Sequence, residues 1–426
     1  MNGRKIGYDL NHKFCQISYY NEEQQEPVTM ETVVDNYQIP LVVGEKGSNW
    51  LIGSDAKRLA VLKQGYVAEN LYQKAFDQEK VRWGNDCYDA IWLLAKFIEG
   101  SLASFEQIDE IVFTVPSLTE DISKILKGIG QRIGVPKQNI YVQDYKESFC
   151  NYMLYQPKEL WQYEAALFHC DRHEVKAYML RKLNTGFGRR KGAFVTVDEV
   201  ASAQMQELAA IYPVLNVDRA KDADQCFKQF VQGVFSKKLV SSVFLVGEVF
   251  ENNWYPQSLK VLCNGRRAFI GNNLYSKGAC YTAYKRSLSD VEGPVYLDET
   301  KMMEQICLRM RTRGQDKWTP IVTWGTRWYE ADTQFEILLE DAEDIEIHIE
   351  SLVKNEMKVE RVSLQGLPKR AKYTLRLQVK VLFQDEKTCK ITLKDIGFGE
   401  FFAPSEFESE TTIHLGGSNG QYHSLS

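Results

Sequence analysis

The order of elements in the first 290 residues is written twice, and that repetition limits the folds open to the chain. Residues 6–10 and 14–19 read as two short strands around a polar turn, Asn11-His12-Lys13. Residues 111–115 form an apolar strand stopped by Pro116. The helix after it carries Ile122, Ile125, Leu126, Ile129 and Ile133 on one stripe. Another strand, 140–143, and another helix, 145–155, follow. The pattern then restarts with a hairpin of residues 165–170 and 175–183, joined by Asp171-Arg172-His173-Glu174. Helices are expected over 198–212 and 219–238, a strand over 242–246 ending at Gly247, and a helix over 274–286. This predicts a duplicated α/β domain over 1–290, with two lobes of about 1–160 and 161–290 and a ligand cleft between them.

From about Gln334 the period changes. Phe335, Ile337 and Leu339 alternate with polar residues, as do Ile345, Ile347 and Ile349, and the run Tyr373, Leu375, Leu377, Val379, Val381 and Phe383. An all-β, sandwich-like domain is therefore expected over 331–404, after a linker and first β segment at 291–330 and before a loose tail at 405–426.

Composition narrows the function classes. A net charge of −5 on 426 residues gives no electrostatic case for nucleic-acid binding. Nine scattered cysteines without a C-x-x-C pair fit reduced thiols, so a soluble cytoplasmic protein is expected. The most apolar helix, 90–98, is broken by Lys96 and is too short to span a bilayer. Asp9 interrupts the N-terminal apolar run too early for a signal peptide.

Several segments, in order, resemble DnaK-type heat-shock chaperones and other actin-like ATPases. Ile6-Gly7-Tyr8-Asp9-Leu10 is similar to their first phosphate strand. Leu51-Ile52-Gly53-Ser54-Asp55-Ala56-Lys57 is similar to their Gly-x-x-Ala-Lys region, and Phe113-Thr114-Val115-Pro116 to Thr-Val-Pro. Val142-Gln143-Asp144-Tyr145 looks like the Asn-Glu-Pro segment, Val243-Phe244-Leu245-Val246-Gly247 like the adenosine strand, and Ser276-Lys277-Gly278-Ala279-Cys280 like the small-residue helix after it. Val295-Tyr296-Leu297-Asp298 stands where the family has its interdomain linker. Residues 362–368 and 390–395 resemble late strands of the substrate-binding β-domain. The resemblance implies an actin-like, duplicated ribonuclease-H-like domain followed by a chaperone-like β-domain without a lid. It describes a degenerate member, expected to belong to a bacterial group with the same layout.

The departures fall at the phosphate loops. The first turn carries Asn11, His12 and Lys13 instead of Gly-Thr-Thr. The second, His169-Cys170-Asp171-Arg172-His173, has no glycine where the family has several, and glycine there lets backbone N–H groups approach phosphate. Gly247 is kept, but Glu248 follows it. If nucleotide binding persists, the resemblance assigns it to Asp9, Asn11, His12, Lys13, Asp171, Gly247 and Glu248. Catalysis, if any, would fall to Asp9 and Asp144 with Mg²⁺ and ATP.

A metal alternative would bring His12, His169 and His173 together with these carboxylates. The run Gly186-Phe187-Gly188-Arg189-Arg190-Lys191-Gly192 reads as a hairpin-end loop rather than a phosphate nest. Trp324, Trp328, Tyr329 and Phe335 either line a peptide groove or pack the β-domain. The reading these residues favour is a non-catalytic protein- or peptide-binding scaffold without cofactor. The alternative is an ATP-binding chaperone-like ATPase.

Overall fold

A computed structural model of the chain describes residues 4–32, 36–171, 173–184, 193–211, 215–288, 293–312, 314–340, 343–351 and 357–416. The glycine-basic run at 186–192 lies outside them. The chain divides into two units, Met1–Lys182 with Thr196–Glu292, and Leu183–Val195 with Gly293–Ser426.

The first unit holds two sheets with the same plan. In one, Ile140–Asp144, Ile108–Val115 and Arg4–Leu10 run parallel, and Phe14–Asn21 and Glu26–Thr29 continue antiparallel. In the other, Arg267–Ile270, Val240–Val246 and Glu164–Asp171 run parallel, Glu174–Asn184 turns back antiparallel, and Ala193–Gln204 lies beside it. The matching order and direction follow from the matching sequence plan: a tight turn permits an antiparallel pair, whereas parallel neighbours need a helical crossover.

Each sheet has its own core. Ile6, Tyr8 and Leu10, alternating along the first strand, are buried with Phe97 of helix Ala90–Ser101 and with Phe113. Phe168 and Met179 are buried with Phe227 of helix Val217–Phe235 and with Phe250.

Helix Leu274–Arg286, from the second half of the chain, packs on the first sheet. Gln16, Ser18 and Tyr20, on one face of strand Phe14–Asn21, meet the helix N-cap Asn273 and the helix residues Ser276 and Tyr284 in turn. Gln16 Nε2 donates to Asn273 Oδ1 at 3.2 Å, the Ser18 and Ser276 hydroxyls lie 2.8 Å apart, and Tyr20 stacks on Tyr284 at 4.0 Å. Arg286 Nε donates to the buried Glu110 at 2.6 Å. Gly7 permits this approach, and Gly278 permits that of the same helix to helix Tyr145–Leu154. A Cβ on Gly7 would lie 2.1 Å from Ser276 O and 2.2 Å from Cys280 N, and one on Gly278 would lie 2.0 Å from Ser148 O.

One local expectation is corrected. Residues 198–204 belong to strand Ala193–Gln204 rather than to a helix over 198–212. Val195 and Val197 are buried, and pairing with Glu174–Asn184 overrides the helical preference of the Glu/Ala residues. Residues 86–89 pair with Lys80–Trp83, and the apolar helix starts at Ala90 because the Asp89 side chain accepts from Ile91 N. The helix after Pro116, Glu120–Arg132, is capped by Thr119, whose side chain accepts from Ile122 N.

The second unit has two four-stranded antiparallel sheets. One is ordered Gln315–Val322, Glu304–Thr312, Asp344–Ser351, Met357–Ser363, and the other Thr333–Leu339, Leu375–Asp385, Thr388–Asp395, Glu408–His414. It starts earlier and ends later than expected. Strands Glu304–Thr312 and Gln315–Val322, within the expected linker segment, pair antiparallel and bury Ile306 and Leu308. Residues 408–414, expected as loose tail, pair along Thr388–Asp395 and bury Ile413 against the same core. Val295 and Tyr296 pair with Phe194 and Val195. Trp328 and Phe335 pack against the β core, and Trp324 Nε1 donates to Glu350 O at 3.2 Å. Asp395, fully buried, accepts from Gly397 N, Ser405 N, Ser405 Oγ and Arg370 Nη2, which pins the loop before the last strand.

Gly7→Ala should lower the stability of the first unit by about 3 kcal/mol or more, since backbone rather than a movable side chain opposes the new Cβ. Denaturant unfolding checks this; a change within about 0.5 kcal/mol would show that the helix is not held so closely.

Candidate functional site

The two hairpin turns face each other across a cavity of about 240 Å³ in the first unit. The first turn is closed on itself. Asn11 Oδ1 accepts from Lys13 N at 2.9 Å and from Phe14 N at 3.0 Å, and Asn11 N donates to Phe14 O. An Asx turn of this kind consumes, within the loop, the N–H groups that a phosphate would need.

Lys13 reaches across the cavity. Its Nζ lies 3.3 Å from Asp171 Oδ1 in the second turn and 3.3 Å from Glu248 Oε2, just after strand Val240–Val246. Burial alone would lower its pKa, but Glu248 and Asp171 outweigh burial and hold the ammonium charged. Gly247 makes the geometry possible. It sits at φ +128°, and a Cβ there would lie 2.2 Å from Cys170 O, so this glycine packs the backbone of the second turn.

Asp9 forms the floor, 2% exposed. Tyr145 donates to its Oδ1 at 2.8 Å. Burial pushes the Asp9 carboxyl up to about 7 against the opposing pull of that hydrogen bond. Tyr145 stacks on Tyr275 at 3.6 Å, and the Tyr275 hydroxyl lies 2.7 Å from His169 Nδ1. Burial lowers the His169 pKa to about 4, so its ring is neutral near pH 7. Cys170 also borders the cavity, and burial raises its thiol to about 12, which leaves it a poor nucleophile.

The remaining expected residues are placed differently. Asp144 is the N-cap of helix Tyr145–Leu154, its Oδ1 accepting from Glu147 N at 2.8 Å, and the cavity wall is made by Tyr145 instead. His12 stacks against Tyr72 at 4.2 Å. His12 and His169 both line the cavity, and His12 also lines a neighbouring depression with His173. Among the described residues, no group of three or more His, Cys, Asp or Glu side chains is placed to hold a metal. Among the same residues, no helix is long and apolar enough to cross a membrane.

Tyr275, Tyr178, Lys176 and Glu251 also line the cavity and carry no sequence motif. Tyr145 had a signal: it follows a capping aspartate at the end of a buried strand. What the arrangement offers chemically is a binding pocket with one proton-exchanging carboxylate and no activated nucleophile among the described residues.

The chain belongs to the family described as "Family of unknown function (DUF5716) C-terminal", whose model matches residues 26–299, more than half of the chain. Residues 301–415 match "Domain of unknown function (DUF8552)". The two matches meet close to the boundary between the structural units at 292 and 293. The first hairpin, with Asp9 and Lys13, precedes the matched stretch. No curated protein matches the chain.

The raised Asp9 pKa has a defined sign in stability. The folded chain holds this proton more tightly than the unfolded chain, whose carboxyl titrates near 3.8. The stability it contributes is full below about pH 4 and is lost as pH rises through 7, by on the order of 4 kcal/mol at most. Asp9→Asn, which keeps an acceptor for Tyr145, should therefore be more stable than the parent at pH 8 and equal to it near pH 4. Urea unfolding at both pH values checks this, and a pH-independent difference would contradict it.

Proposed function

We propose that this family member is a non-catalytic scaffold: an actin-like, DnaK-like α/β domain that has given up its nucleotide switch, joined to a chaperone-like β-domain that engages a protein or extended peptide. The observation that carries the reading is the Lys13 ammonium between Asp171 and Glu248. In the resemblance, that is the space of the nucleotide phosphates, and here it holds a cation belonging to the protein and two carboxylates that repel polyphosphate.

Three further features support it. The first turn spends its N–H donors on Asn11. Asp144, the residue corresponding to the family's catalytic carboxylate, caps a helix. The docked helix Leu274–Arg286 joins the lobes through backbone-tight contacts at Gly7 and Gly278, which suits a rigid body better than a hinge. The two four-stranded sheets of the second unit carry the likeness to a peptide-binding β-domain. Trp324, Trp328 and Phe335 serve its packing, so a partner would be met by other surfaces, such as the edge strands.

Calorimetric titration of the full chain with Mg-ATP is expected to give no saturable heat at millimolar nucleotide. Micromolar binding would overturn the reading in favour of the ATPase alternative.

A further inference from the structure

The cavity behind Lys13 carries more acid than base. Its described lining includes five carboxylates, Asp9, Asp171, Glu174, Glu248 and Glu251, against Lys13 and Lys176. Lys13 is engaged by Asp171 and Glu248, and Lys176 lies 3.7 Å from Glu174. Asp9 and Glu251 are left without a cation among the described residues.

Their settings differ. Glu251 stands at the rim, where Asn272 Nδ2 donates to it at 3.3 Å. Asp9 is the deeper group. Tyr145 donates to Oδ1, no other donor to this side chain is present among the described residues, and Asp9 lines the cavity. A buried carboxyl with a single protein donor is costly to ionise, and a bound cationic donor offsets that cost. Tyr145, Tyr178, Tyr275 and Phe14 add apolar wall between floor and rim.

The chemistry of the missing partner follows. A polyphosphate is repelled by the carboxylate excess. A hard divalent ion needs several converging oxygens, and no such cluster is present among the described residues. An ammonium or guanidinium group donates only, carries positive charge and forms charge-assisted bonds to carboxylate. A volume of about 240 Å³ suits a small molecule rather than a folded segment. We infer that the cleft binds a small organic dication, an alkyl diamine or a guanidino-amine, with one cationic head on Asp9 at the floor and the other toward Glu251 at the rim. This rests on the reading that the cleft has given up nucleotide.

Titration calorimetry of the full chain with putrescine, with agmatine and, separately, with Mg-ATP tests it, with 1,4-butanediol as the uncharged control. The expected result is saturable binding of at least one amine and none of the diol. Affinity should fall about tenfold or more in Asp9→Asn and a few-fold in Glu251→Gln, with both variants folded by circular dichroism. No saturable amine binding at millimolar concentration, or equal affinity in Asp9→Asn, would overturn the inference. If the amines fail while Mg-ATP stays silent, only this inference is lost. If Mg-ATP binds, the reading beneath it is lost as well.

Discussion

The ion contact of Lys13 with Asp171 and Glu248 decides what the first unit is able to do. It joins a turn near the start of the chain to two points on the opposite half, the second of them 235 residues away. Its worth in stability is modest, because Lys13 and Asp171 are both more than a third exposed. Its consequence lies in occupancy. A cation and two carboxylates meet across the cavity, and on the reading proposed above they stand where a nucleotide phosphate chain would lie; the adjoining turn has its N–H groups inward on Asn11.

Rigidity comes from elsewhere. Helix Leu274–Arg286 lies with backbone nearly touching backbone on strand Arg4–Leu10 at Gly7 and on helix Tyr145–Leu154 at Gly278. Serine–serine, tyrosine–tyrosine and Arg286–Glu110 contacts extend the seam along the helix. A seam this close has two states only if the packing breaks, so small shifts at the cleft have little means of becoming large lobe motions. Charge at the cleft and glycine packing at the seam point to the same outcome, a fixed body with a small acidic pocket.

Much of this plan could be read from local pattern. The hairpins, the apolar strands and the helix at 274–286 show in periodicity and turn residues, because burial of one face is a local signal. The strand at 193–204 was misread because Asp198, Glu199 and Ala201 favour helix, while its strand character comes from a neighbour in the sheet. The hairpin of Glu304–Thr312 and Gln315–Val322 is hard to read because the exposed charges Arg309, Arg311, Asp316 and Lys317 crowd its turn end and mask Ile306 and Leu308. Within the site, Lys13 stood out as a foreign residue in its turn, but nothing local pairs it with Glu248. Asp144 was read as a magnesium ligand, although its place just before a helix already marked it as a cap. Tyr275 had no signal, since its role depends on stacking against a ring 130 positions earlier in the chain, at Tyr145.

The central claim, that the protein's own ammonium spans the cleft, is tested most directly by a double-mutant cycle on Lys13 and Glu248. Unfolding free energies of the parent, Lys13→Met, Glu248→Gln and the double variant should give a coupling of about 0.5–1 kcal/mol that shrinks in high salt. Strict additivity, with each substitution acting alone at every ionic strength, would contradict the account.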